Sequence, residues 1–325
     1  MRAIVCERFG PPESLRLIDV EKPVPGKNDV LLRVAASSIN KADWIYLRGK
    51  PFFARLMGIG LLGPKAKILG ADVSGQVEAV GEETKLFKPG DKVFGLLPSD
   101  RRGAYAEYAC AEEEVFARMP SGVSFDQAAA VPMAALTALD ALQSKGRIAA
   151  GQRVLIHGAS GGVGTYAVQV AKSFGAEVTA VVSSRNTRIA ESIGADHVVD
   201  YSKQDFTLNG EKYDLIIGAN GNRSIFDYCR SLTPNGTYVM SGGKGRQIAQ
   251  AVLLGRLLSK KNGKKVRVCS WKFERENLLF LAKLLDSGRI VPVVDASFPL
   301  EEVPKAYRYF EDGEAKGKIV ISMAV

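Results

Sequence analysis

The residues best suited to chemistry lie in the run Val154–Gly164, where a short apolar stretch enters a glycine-rich turn. An apolar-periodic stretch, Thr165–Phe174, follows at once. In a G-x-G-x-x-G/A register Ala159 takes the first position, Gly161 the second and Gly164 the third. Gly161 lets a backbone approach a pyrophosphate, and Gly164 lets helix and strand pack closely. The anion then sits on the helix N-terminus, where free N–H groups and the dipole favour negative charge. Ser160, Gly161, Gly162, Val163 and Gly164 are therefore the expected cradle of a dinucleotide.

The next strand candidate, Glu177–Val182, ends in Ser183, Ser184 and Arg185. A carboxylate there would hold both ribose hydroxyls and select NAD. Hydroxyls and a guanidinium suit a 2′-phosphate instead, so NADP(H) is the expected cofactor. The plainer alternative is a solvated arginine at a helix start. Tyr201 and Lys203 follow the third strand candidate and are placed to close over that phosphate. Asn220, Gly242 and Gly243 follow the fourth and fifth, at the edge of the sheet that a dinucleotide crosses.

Metal chemistry finds few donors. The chain has two histidines, His157 and His197, and four cysteines, Cys6, Cys110, Cys229 and Cys269. No pair has C-x-x-C spacing, so neither a zinc ribbon nor a redox dithiol is supported, and no metal site is expected.

The elements that position these residues read in two styles. Residues 1–122 hold short β-like runs between turns: Val30–Val34, Val73–Val80, Lys88–Gly95 and Tyr105–Ala109. A capped helix, Asp126–Val131, and a second helical stretch, Ala134–Leu142, come next. From Gly151 strands alternate with helices. The strands are Arg153–His157, Glu177–Val182, His197–Val199, Tyr213–Ile217 and Thr237–Met240; the helices are Val163–Phe174, Arg185–Ile193 and Ser224–Ser231. That alternation predicts βαβ units and a parallel sheet covered on both faces. A helix (Glu274–Ser287), an extended run (Val291–Phe298), a helix (Leu300–Phe310) and a strand (Gly317–Ser322) then return the chain to the first domain. The expected division is 1–122 with 271–325, and 123–270.

The composition sets outer limits. The chain has 325 residues, a formal charge of +9, 46% hydrophobic and 24% charged residues. These values exclude wholesale disorder, and four cysteines cannot staple a fold of this size. No apolar run reaches membrane-spanning length, and acidic residues come early (Glu7, Glu13), so a cytoplasmic protein is expected. The positive charge suits nucleic acid, a membrane surface or a small anion. Nucleic acid is disfavoured because the basic residues lack interleaved aromatics or a recognition helix.

Taken together, the segments Ser38–Asp43, Leu69–Gly75, Lys88–Gly95, Gly103–Tyr108, Ala134–Ala138 and Ser160–Gly164 resemble the medium-chain dehydrogenase/reductase superfamily, in its zinc-free quinone oxidoreductase (zeta-crystallin-like) branch. The resemblance implies a GroES-like β-rich catalytic domain, a doubly wound Rossmann domain and a cleft between them. It also shows departures from the zinc alcohol dehydrogenases. Asn40 stands where those enzymes place a cysteine ligand. Gly70-Ala71-Asp72 stands where they carry Gly-His-Glu, and the four-cysteine lobe expected after Gly95 is absent. Alcohol oxidation loses its Lewis acid, so the expected acceptor is a quinone or an α,β-unsaturated carbonyl.

By the same resemblance Asn40 donates its amide to a carbonyl or to the nicotinamide carboxamide, while Asp43 holds the loop. Trp44 and Tyr46 wall the pocket or simply pack the β domain. Thr137 matches a hydroxyl position near the nicotinamide, and Lys318 reaches the cofactor side. Two further segments, the apolar 51–62 and the apolar-then-basic 247–267, read either as a lipophilic substrate mouth in peripheral membrane contact or as a lid with a solvated loop. A homodimer is expected. The competing functions are an enoyl-thioester reductase and an NADPH-binding protein with little catalysis.

Overall fold

The computed structural model describes residues 1–243, 247, 250–251, 263–270 and 272–323. Its chain forms two compact units. The first comprises Met1–Met133, Glu274–Asp286 and Pro292–Val325; the second comprises Ala134–Phe273 and Ser287–Val291.

The first unit opens with strands β1 (Arg2–Val5), β2 (Arg16–Asp19) and β3 (Asp29–Ser38) and helix α1 (Lys41–Arg48). Strands β4 (Asp72–Val80), β5 (Lys92–Leu96), β6 (Tyr108–Glu112) and β7 (Phe116–Arg118) follow, then helix α2 (Phe125–Ala129); helix α3 (Pro132–Leu139) carries the chain into the second unit. In the second unit β8 (Arg153–His157) leads into α4 (Gly162–Ser173), and β9 (Glu177–Val182) into α5 (Thr187–Ser192). Next come β10 (His197–Asp200), β11 (Tyr213–Gly218), α6 (Ile225–Arg230), β12 (Leu232–Met240) and β13 (Lys265–Val268). The chain returns to the first unit through α7 (Arg275–Asp286), β14 (Val294–Pro299), α8 (Val303–Asp312) and β15 (Lys318–Ser322).

The first unit's main sheet runs β14-β15-β3-β4-β5-β7, with β6 also on β3. Strand β15 pairs antiparallel with β3, Val320 opposite Ser38, which delivers Lys318 to the end of β3 where Asn40 begins α1. Its core gathers Leu32, Leu47, Val73, Phe116, Tyr105 and Tyr307, all fully buried. Segment 123–133, assigned by the sequence to the nucleotide-binding domain, belongs here. Ser74 Oγ donates to the Phe125 carbonyl at 2.7 Å, and Ala129 and Ala130 pack on Ala36 and Val320. The strand expected at Tyr105–Ala109 is displaced to Tyr108–Glu112. Tyr105 is drawn out of that ladder because its carbonyl accepts the Ile4 N–H at 2.9 Å while its ring is buried edge-on to Tyr307.

The second unit is a six-stranded parallel sheet in the order β10-β9-β8-β11-β12-β13. Strand β8 is the first in sequence, and the order reverses between it and β11. That is the doubly wound arrangement whose switch point lies at the carboxyl ends of those two strands. The run Val154–Ile156 is fully buried because helices cover both faces. The sixth strand, β13, falls on residues read from sequence as the end of a basic loop. Val266 and Val268 alternate with Lys265 and Arg267, a strand pattern concealed by the preceding lysines. Most of the 247–267 segment otherwise lies outside the described residues.

Candidate functional site

The glycine loop grows from local necessity. Gly158 turns with φ +86°, left-handed territory that a side chain enters at a cost. A Cβ on Gly164 would lie 2.0 Å from the Gly158 carbonyl, so only glycine lets α4 pack on the turn. Gly161 differs, since its Cβ would meet nothing closer than the Gly158 carbonyl at 3.6 Å. The chain itself leaves room there. Gly161 also caps α4 without any side-chain hydrogen bond, so the first N–H groups of that twelve-residue helix keep no intrahelical acceptor.

Asn186 sharpens the picture. Its Nδ2 donates to Ser160 Oγ at 2.9 Å, while its buried Oδ1 has no partner. The open helix N-terminus suits a phosphate, and the buried amide oxygen beside it needs a donor, such as a ribose hydroxyl. The residues therefore fit a dinucleotide. Beyond β11 and β12 the edge closes up: Asn220 N–H donates to the His157 carbonyl at 3.2 Å, Gly242 N–H to the Gly218 carbonyl at 2.9 Å, and Gly243 bridges Gly221.

At the ribose end Ser183 is half-buried, and Ser184, Arg185 and Tyr201 are exposed. The sequence reading found no carboxylate here, but the structure brings one from the neighbouring strand. Ser184 Oγ donates to Asp200 Oδ2 at 2.5 Å, and Ser202 donates to Oδ1 through N–H (3.0 Å) and Oγ (2.7 Å). The two hydroxyls hold the Asp200 carboxyl down to about 2, with Lys203 3.5 Å away. Parallel pairing of β10 with β9, Asp200 opposite Val182, is what aligns these residues, and no sequence spacing announces it.

A second polar cluster lies buried in the first unit. Asp72 accepts from Ser38 Oγ (2.6 Å), Asn40 Nδ2 (2.8 Å) and the Met133 N–H (2.8 Å). Lys318 Nζ donates to Asn40 Oδ1 (2.5 Å), the Ile39 carbonyl (3.2 Å) and Asp72 Oδ2 (3.2 Å). All three ammonium protons are thus spent inside the unit. An ammonium only donates and a carboxylate only accepts, so the Asn40 amide can point only one way. Its Nδ2 keeps one N–H beyond the bond to Asp72. Asp43 accepts the Asn40 N–H at 3.1 Å and is bonded to Arg102; burial pushes its carboxyl up against the opposing pull of that guanidinium.

This donor set does not fit zinc. It offers two carboxylates, each already paired with a cation (Asp72 with Lys318, Asp43 with Arg102), and one amide, with neither thiolate nor imidazole. Among the described residues no three His, Cys, Asp or Glu side chains gather into a metal-ligating group. His157 is buried on Tyr228, Nδ1 to hydroxyl 2.8 Å, and burial lowers it to about 4; His197 pairs with Glu177.

The remaining expected residues spread out. Asn40 and Lys318 meet, whereas Trp44 gives its indole N–H to Glu311 at 2.7 Å and packs on the first unit's core. Thr137 lies half-buried on α3, in the second unit. In the 51–62 segment Phe52, Leu56, Leu61 and Leu62 are exposed. No helix among the described residues is long and apolar enough to cross a membrane. Sequence reasoning missed Asn186 and Asp200, and it assigned Lys318 to the cofactor rather than to Asp72.

Residues 26–121 match the alcohol dehydrogenase GroES-like domain family, and residues 193–321 match a zinc-binding dehydrogenase family. The chain is 33% identical to the chloroplastic quinone-oxidoreductase QR1 of Triphysaria versicolor, over 99% of this chain and 98% of that protein. It is 32% identical to the mitochondrial NAD(P)H oxidoreductase RTN4IP1 of Homo sapiens, over 99% and 89%. Among solved structures, the quinone oxidoreductase from Coxiella burnetii superposes with a TM-score of 0.87 at 32% identity, covering 100% of this chain and 99% of that one.

Proposed function

The chain belongs to the quinone oxidoreductase branch of the medium-chain dehydrogenase/reductase superfamily, and from that premise we propose that it is a zinc-independent reductase taking NADPH to a quinone or an α,β-unsaturated carbonyl. The observation that carries the reading is the Lys318–Asn40–Asp72 cluster. An internal cation occupies the donors that zinc enzymes devote to their metal, so the acceptor must already be electrophilic.

The cofactor, when bound, supplies a hydride. This chain's residues do the rest. Gly162, Val163 and Gly164 offer N–H groups to the pyrophosphate, which Gly161 lets approach, and Asn186 Oδ1 accepts from a ribose hydroxyl of the cofactor. Lys318 and Asp72 hold the Asn40 amide rigid, and its remaining N–H stabilises the acceptor oxygen as that atom gains charge. Ser183, Arg185 and Tyr201 read the 2′-phosphate, while the charge on Asp200 is masked by Ser184, Ser202 and Lys203. The four cysteines are free thiols, which suits the reducing cytosol.

Cofactor choice tests this directly. Arg185→Ala raises KM for NADPH about 3- to 10-fold and leaves NADH nearly unchanged, as befits one exposed charge-assisted contact. Asp200→Asn moves selectivity the other way, toward NADPH, by removing a like charge. Equal changes for both cofactors in both variants would overturn the NADPH assignment.

A further inference from the structure

The second unit carries a cavity of about 250 Å³ at the amino-terminal edge of its parallel sheet, the edge opposite the glycine loop. Four cations line it: Lys145 and Arg147 from the chain leading to β8, and Lys265 and Arg267 from β13. Gln152 and Asn235 add polar groups, and the one lining carboxylate is Asp214. Both Asp214 oxygens are already used, Oδ2 by the Arg153 N–H and Oδ1 by Thr233 Oγ1, each at 3.0 Å. Among the described residues none of the four cations forms an ion pair. Four like charges facing one recess, with no carboxylate there left to offset them among the described residues, make it attractive to an anion.

The backbone gives a second, independent sign. Among the described residues, two non-glycines have left-handed φ, Arg147 (+55°) and Asn235 (+63°), and both line this cavity. Asparagine tolerates that region, but arginine does so at a cost. Arg147 ends a helical turn in the position where glycine is the unstrained choice. The chain keeps a guanidinium there despite the strain, which points from backbone to ligand.

We propose that this cavity binds a small phosphate-bearing anion, at a site distinct from the dinucleotide cradle. The volume is below the about 300–1,000 Å³ of drug-sized pockets, so the ligand is compact. Several cations and forked guanidinium donors match the oxygens of a diphosphate group better than a monocarboxylate.

Calorimetric titration of the full-length protein with inorganic pyrophosphate tests the site, with and without saturating NADPH. Binding is expected to persist in NADPH. Arg147→Gly should weaken it about tenfold, equivalent to about 1.4 kcal/mol. The same variant should keep or raise Tm, because glycine accepts the left-handed φ without strain. A mere helix-end role for Arg147 would leave pyrophosphate affinity untouched. Lys265→Gln/Arg267→Gln, two side chains on the sheet edge, should weaken binding further, whereas Arg185→Ala should not. The proposal fails if wild type shows no heat in NADPH, or if both cavity variants bind as wild type does. It also fails if Arg185→Ala alone abolishes the signal.

Discussion

Replacing Lys318 by methionine tests whether a built-in cation organises the first unit. Lys318 is 3% exposed and Asp72 is fully buried. The substitution keeps most of the side-chain volume but deletes the three hydrogen bonds to Ile39, Asn40 and Asp72. Asp72 then retains Ser38, Asn40 and the Met133 N–H as donors, with no ammonium in contact. Leaving one member of a buried pair uncompensated costs about 3–5 kcal/mol. At about 2–4 °C per kcal/mol for domains of 150–250 residues, Tm should fall by about 6–20 °C. Lys318→Met/Asp72→Asn removes both charges while keeping an acceptor for Ser38, and should recover more than half of the loss. The assay is thermal denaturation followed by circular dichroism at neutral pH for wild type, both single variants and the double. A Lys318→Met variant within about 0.5 kcal/mol of wild type would refute the reasoning, as would strictly additive losses in the double.

Two more predictions concern the second unit. Gly161→Ala should fold with an unchanged Tm yet bind NADPH poorly, because its Cβ has space in the chain and none under a pyrophosphate; Gly164→Ala, with its Cβ 2.0 Å from the Gly158 carbonyl, should lose Tm as well. Equal Tm losses in both would contradict the division of roles. His157, lowered to about 4 by burial, should make stability depend on pH. Its unfolded form ionises near 6.5, so its contribution is complete above that pH and is lost as pH falls from about 6.5 to 4, by about 3 kcal/mol in all. A His157→Asn variant should show a flatter pH profile of Tm, and parallel profiles would contradict the assignment.

Much of this was legible in the residue order. The glycine loop, its flanking strand and helix, and the alternation after Gly151 each follow from local rules, and the parallel sheet obeys them. The expectation of no metal rested on the lack of a histidine or cysteine around Asn40 and Asp72 in the sequence. What the sequence hid depends on register. Asp200 meets Ser184 only because β10 lies parallel beside β9, and Lys318 meets Asp72 only because β15 lies antiparallel on β3, whose other edge carries β4. The sixth strand was hidden by lysines that made Val266 and Val268 look like loop. Segment 123–133 was misassigned because its helical pattern resembles the later helices, while its packing on Ala36 and Val320 is a tertiary matter.

The most direct test of the account is steady-state oxidation of NADPH by the purified protein against a panel of 1,4-benzoquinones, short enones and enoyl thioesters, in the presence of a zinc chelator. The account predicts turnover of quinones or enones, undiminished by the chelator and with kcat/KM favouring NADPH over NADH. No turnover with any acceptor, or activity restored only by added zinc, would contradict it.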